Sequence, residues 1–212
     1  EGFGDRIKVV LQENGGQAAA MNAAVRESRG EILCFLDADD WWAPGKLAEV
    51  AAAFDADPDL VLVYHRLQPV RDGSAAGLAP IPRSLCDGDL RPRMLRSGGW
   101  WPFPMTSAIS VRRSAWDAAG DIPECFRISA DAWLVGIYPF LGRVGALPAA
   151  LGFYRLHGNN NWTRELDAGL LARRMAHWRE TVAVTNRFLE GRGIGDRLSL
   201  SDHWPLRLAE AD

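Results

Sequence analysis

The sequence predicts an α/β fold with a mainly parallel sheet flanked by helices, and three observations predict it. Short β-branched runs alternate with Ala-rich amphipathic segments along the first 64 residues. Two of those runs, EILCFL at 31–36 and LVLVY at 60–64, are nearly continuous in apolar residues. A strand covered on both faces needs that pattern. Finally, three carboxylates, Asp37, Asp39 and Asp40, stand directly past the first of these runs. The carboxyl ends of strands are where open α/β sheets bind ligands.

Each element has a local cause. Ile7 to Leu11 (IKVVL) reads as a strand, broken by Asn14-Gly15-Gly16. Gln17 to Ser28 reads as a helix with Met21, Ala24 and Val25 on one face, stopped at Gly30. Pro44 opens a second helix that runs to about Ala56, with Pro58 beyond it. Leu60 to Tyr64 is the next strand. Residues 69–104 hold half of the twelve prolines and read as a long connection with one short helix at Arg91–Arg96. Thr106 to Val111 resumes strand character, and Ser129 reads as the N-cap of a helix from Ala130 to Leu141. Ala149 to Leu156 is a strand that ends in His157-Gly158-Asn159-Asn160-Asn161. Arg164 to Leu189 is a long amphipathic helix, and residues 191–212 read as a polar tail without a clear element.

Composition narrows the function classes. At 212 residues and 48% apolar, the chain buries a sizeable core and is too apolar for disorder. A net charge of −3 argues against a general nucleic-acid binder. No apolar run reaches the ~18 residues of a transmembrane segment, and the first residues, Glu1-Gly2-Phe3-Gly4-Asp5, lack a leader's basic and apolar regions. Cys34, Cys86 and Cys125 form neither a disulfide framework nor metal-ligand spacing, so a reducing, cytoplasmic setting is expected.

The residues themselves leave their chemistry open. Asp37, Asp39 and Asp40 suit a hard divalent cation such as Mg²⁺ or Mn²⁺ held together with phosphate oxygens. They equally suit an Asp-capped turn. Asp131 is either a proton acceptor or an acidic first-turn residue favoured by the helix dipole. His157 is either a metal or phosphate contact or a surface residue in an Asn/Gly turn. Arg155 offers a fork of donors to a phosphate or points into water. Gly15-Gly16 before a helix suits an anion at the helix N-terminus, near Gln17 and Asn22. Trp100 and Trp101 offer aromatic faces to a sugar ring, or fill the core.

Asn14-Gly15-Gly16-Gln17, Asn22, the run from Gly30 to Trp41, Pro44 and Lys46-Leu47 together resemble the family 2 glycosyltransferases of GT-A fold. Ala130-Asp131-Ala132-Trp133-Leu134, and Tyr154-Arg155-Leu156-His157 with Asn159 and Asn160, resemble two later segments of that family in the same order. The resemblance implies a Rossmann-like GT-A domain over residues 1–162 and a C-terminal helix and tail over 163–212. It implies transfer of a sugar from a nucleotide-diphosphate donor, commonly a UDP-sugar, to the hydroxyl of a glycan or small-molecule acceptor, with inversion and with a divalent cation. Asp37-Ala38-Asp39 then corresponds to the DxD segment, with Asp39 and His157 on the metal and Asp131 as the catalytic base. Gln17, Asn22, Asp37, Ala38 and Arg155 would contact the donor, and Trp100 and Trp101 the acceptor. Two departures stand out: Ala130 where the family often has Glu, and Met21 where it often has Arg. The family's first strand, with its nucleoside-binding acidic residue, should precede Ile7 and is not in this sequence. Two competing readings are a non-catalytic module that binds a sugar nucleotide or a partner, and a nucleotidyltransferase.

Overall fold

The computed structural model describes residues 7–157, 160 and 168–211. Helix α1 (Gln17–Glu27) leads to strand β1 (Ile32–Cys34), then β2 (Trp41–Trp42), α2 (Lys46–Ala56) and β3 (Leu60–Arg71). A short β4 (Ser74–Ala75) and α3 (Arg91–Arg96) lie in the long connection. A 3₁₀ turn at Thr106–Ala108 enters β5 (Ile109–Arg112), followed by α4 (Arg113–Ala119), α5 (Asp131–Ile137) and β6 (Arg143–Arg155). Two more helices, α6 (Ala168–Gly191) and α7 (Trp204–Ala211), close the described chain. No helix among the described residues is long and apolar enough to cross a membrane.

The α/β class is as expected, but the sheet is mixed rather than mainly parallel. Its order is β1-β5-β3-β6-β2, with β4 on β3. Among the described residues only β3 and β6 pair in parallel; β1–β5, β5–β3, β6–β2 and β3–β4 are antiparallel. Strands β1, β3 and β6 nevertheless run the same way, because β5 runs back between β1 and β3. Their carboxyl ends therefore share one edge, and β5 starts from that edge. This brings the turn after β1, the residues before β5 and the end of β6 together.

β3 is central and covered on both faces, which explains its apolar run. Leu62 and Tyr64 join the larger core with Val25, Ile109, Trp133 and Leu134. Leu60 and Val63 pack instead with Val50 and Phe54 of α2. A register shift between Leu60 and Leu62 against β6 accounts for the break in strict alternation. Val182, Val184, Leu189 and Leu198 belong to the same core cluster as Leu62, so the C-terminal elements are packed on the sheet domain.

Several expected elements differ. IKVVL forms no ladder; Val9 is 72% and Leu11 91% exposed, because a β-branched run is a strand only where a neighbour accepts its hydrogen bonds. Residues 204–211, read as tail, are helical, with Leu206 buried. α4 went unrecognised because its seven residues are too few to show a clear period. Ser129 is not an N-cap: it takes a left-handed φ of 58°, and Ala130 precedes the helix without a side-chain cap. The start expected for the last helix, at Arg164, lies outside the described residues.

Trp101 was expected at an acceptor subsite and is a core residue instead. It is fully buried, donates Nε1–H to the Val135 carbonyl at 3.0 Å and meets Tyr64 edge-on at 5.6 Å. Trp101→Ala should therefore cost about 3–5 kcal/mol of stability, read as a lower urea midpoint. An unchanged midpoint would contradict this packing role.

Candidate active site

The turn after β1 is clamped by one hydroxyl. Ser107 Oγ accepts from the Asp37 N–H at 3.0 Å and donates to Asp40 Oδ2 at 2.6 Å. Asp40 also accepts from the Arg155 N–H at 2.9 Å. Asp40 is thus a buried tie between the turn, the residues before β5 and the end of β6. Its burial raises its pKa, and these hydrogen bonds offset part of that. Asp37, Ala38 and Asp39 line the open side, a cleft of about 650 Å³ shared with Gln17, Thr106, Asp131, Tyr154, His157 and Asn160.

Asp131 heads α5, where the backbone of the preceding loop delivers it into the cleft. Its Oδ2 accepts from the Thr106 N–H at 3.2 Å. Burial is the main cause that raises its pKa to about 6. Across the cleft, His157 Nε2 lies 2.8 Å from Asp39 Oδ2. Asn160 holds that histidine's backbone: its Oδ1 accepts from the His157 N–H at 2.9 Å, and its Nδ2 donates to the Arg155 carbonyl at 2.8 Å.

Gln17 joins the two sides. Its Nε2 donates to Asp37 Oδ1 and to Thr106 Oγ1, both at 3.1 Å, and its Oε1 accepts from the Ala130 N–H at 2.9 Å. The amide therefore sets the spacing between the turn that carries Asp37 and the helix that carries Asp131. Crowding shows in the electrostatics. Burial first, then the charges of Asp131, Asp40 and Asp39, push Asp37 up to about 7.

The donor set fits a divalent cation in part. Among the described residues, no group of three His, Cys, Asp or Glu side chains is arranged to hold an ion. Asp39 supplies carboxylate oxygens, which Mn²⁺ or Mg²⁺ accepts, and His157 an imidazole nitrogen, a softer donor that Mg²⁺ takes less readily than a transition metal, with phosphate oxygens and water to complete the shell.

The raised pKa of Asp37 has a consequence for stability. The fold favours its protonated form, so this contribution is present at acid pH and lost as pH rises from 3.8 to about 7. Without added metal, Asp37→Asn should be more stable than wild type at pH 8, and the difference should close near pH 4. Urea midpoints in EDTA at the two pH values check this, and a constant difference would contradict it.

A sequence profile described as Glycosyl transferase family 2 matches residues 1–117. The chain belongs to glycosyltransferase family 2. An uncharacterized glycosyltransferase of Nostoc sp., alr2836, is 35% identical over 202 residues, covering 93% of this chain and 62% of its own length. The chain thus spans less than two thirds of that relative. The O-antigen biosynthesis protein RfbC of Myxococcus xanthus is 43% identical over 60 residues, covering 28% of this chain and 5% of RfbC. S. aureus TarS has the same fold: its TM-score is 0.52 at 14% identity, over 95% of this chain and 42% of TarS. The TarS 1–349 structure gives a TM-score of 0.51 at 16% identity, over 92% and 59% of the two chains.

Not every residue expected of a family 2 glycosyltransferase faces this cleft. Asn22 is buried away from it, exchanging two 2.9 Å hydrogen bonds with the backbone of Ile122. Arg155 lies outside the cleft lining with its guanidinium over the Trp41 ring at 5.4 Å. The N-terminus of α1 is closed to an anion as well. The N–H groups of Gln17 and Ala18 donate to the carbonyls of Arg127 at 2.9 Å and Phe126 at 3.2 Å. Gly16, at φ 87°, permits this approach; a Cβ there would lie 2.7 Å from Arg127 Cα. Trp100 lines a neighbouring cavity and meets Trp204 edge-on at 4.9 Å.

Thr106 and Ser107 were missed as site residues. Ser and Thr at a strand entrance are common hydrogen-bonding residues, and nothing local distinguishes these. The signal was positional: β5 begins at the edge where β1 ends, and only the antiparallel pairing reveals that.

Proposed function

We propose that this chain performs inverting, metal-dependent transfer of a sugar from a nucleotide-diphosphate donor to an acceptor hydroxyl. One observation carries the reading: Asp131 and the Asp37-Ala38-Asp39 turn line a single cleft and are coupled through Thr106 and Gln17. The family resemblance implies uridine diphosphate as the nucleotide.

In this scheme the acceptor oxygen attacks the anomeric carbon as the bond from that carbon to the diphosphate oxygen breaks. The acceptor proton passes to the Asp131 carboxylate, and the nucleoside diphosphate leaves with the bonding pair. A base with a pKa near 6 is charged and competent at neutral pH. Asp39 and His157 would hold the cation, whose chemistry is to neutralise charge on the departing diphosphate. Gln17 and Thr106 position the two carboxylate groups relative to each other.

The test is release of nucleoside diphosphate from a panel of UDP- and GDP-sugars, with Mn²⁺ or with EDTA. Mn²⁺-dependent release from one donor supports the reading. Absence of release from all donors would favour a module that binds without catalysis.

A further inference from the structure

Beside the acidic cleft lies a second cavity of quite different chemistry. Its volume is about 320 Å³. Trp100, Phe103, Met105, Val135, Trp178 and Val182 give it a largely apolar wall. It is built mainly from elements beyond the matched family profile, namely α5 and α6 with the segment around Leu198 and His203. The fit between that segment and the loop before Phe103 is close. Gly98 has a φ of 61°, and a Cβ there would lie 2.4 Å from the Ser199 carbonyl oxygen and 2.6 Å from the His203 nitrogen. On the wall, Trp178 and His203 pack with ring centres 5.6 Å apart.

The two cavities share Met105, Ser129 and Asp131 in their linings. Asp131 therefore stands at the boundary between an acidic cleft and an apolar one. Resting on the reading of Asp131 as the base, we infer that the apolar cavity receives the acceptor, and that the acceptor carries an apolar, ring-sized group next to its reacting hydroxyl. Arg174, His177, Thr185 and His203 also line the cavity, but a bare sugar would still strip water from the hydroxyls it turns toward Phe103, Val135 and Val182. An aromatic or alicyclic group buries its surface there at no such cost, and pockets of about 300 Å³ and upward suit small ligands of that kind. A hydroxyl at the edge of that group would face Asp131, while the donor occupies the acidic side.

Calorimetric titration of the full chain with 2-naphthyl β-D-glucopyranoside and with methyl β-D-glucopyranoside tests this. The two share their sugar hydroxyls and differ in the apolar ring. The expected result is binding of the naphthyl glycoside at least tenfold tighter. Thr181, half-buried on α6, lines the cavity. Thr181→Trp should fill the space and weaken naphthyl binding at least tenfold, with a cooperative melt showing that the variant folds. Trp178→Ala, which removes wall, should weaken it too. Equal affinity for the two glycosides would overturn the inference. So would unchanged naphthyl binding in a folded Thr181→Trp. Stabilisation of wild type by UDP with Mn²⁺ is measured separately. Its loss alongside intact naphthyl binding would count against the donor reading and not against the cavity.

Discussion

Asp131→Asn should lower sugar transfer by about two to four orders of magnitude while the protein still binds UDP in the presence of Mn²⁺. The amide keeps the size of the side chain, and its oxygen can still accept from the Thr106 N–H. It cannot take a proton from the attacking hydroxyl. The loss therefore falls on the chemical step. In wild type the rate should rise with pH as Asp131 loses its proton near 6 and level off above that. The variant should lack this limb. Steady-state kinetics across pH check both, and an equal loss of UDP binding and of rate would make Asp131 a structural residue instead.

Asp39→Asn should abolish the dependence of UDP binding on Mn²⁺ and cut transfer by about two to three orders of magnitude. Asp39 is the carboxylate of the turn that its neighbours leave available. Asp40 is consumed by Ser107 and Arg155, and Asp37 accepts from Gln17. Asp39 meets only His157 among the contacts described for it, at a half-exposed position. Replacing it removes charge that a cation needs without removing a tie of the fold. Melting curves should show a variant as stable as wild type in EDTA and insensitive to Mn²⁺ with UDP. A Mn²⁺ response equal to that of wild type would take Asp39 out of the cation site.

These expectations separate what was legible in the sequence from what was not. The runs EILCFL and LVLVY are readable as buried strands because burial on both faces leaves an unbroken apolar pattern. The acidic turn is readable because its position past such a strand has functional meaning. The direction of β5 is not readable, since a short strand has the same pattern whichever way it pairs. That one direction decides that Thr106 and Ser107 reach the cleft. Gln17, expected at the donor, lines the cleft, and its amide groups also contact Asp37, Thr106 and Ala130. Residue type signals that an amide forms hydrogen bonds, and only the packing of α1 against the loop before α5 says with what. Trp100 and Trp101 are adjacent and identical in type, but one lines a cavity and the other is core. Neighbours in a loop point to different sides with no fixed period, and no local pattern reports which side is buried.

The proposed function requires Asp39 and His157 to hold a cation together with a nucleoside diphosphate. Its most direct test is the melting temperature of the full chain with UDP alone, Mn²⁺ alone and both, since a ligand bound only by the folded state raises it by mass action. A rise with UDP and Mn²⁺ together that exceeds the sum of the two separate rises is the predicted result. A rise with UDP that is the same in EDTA as in Mn²⁺ would contradict it.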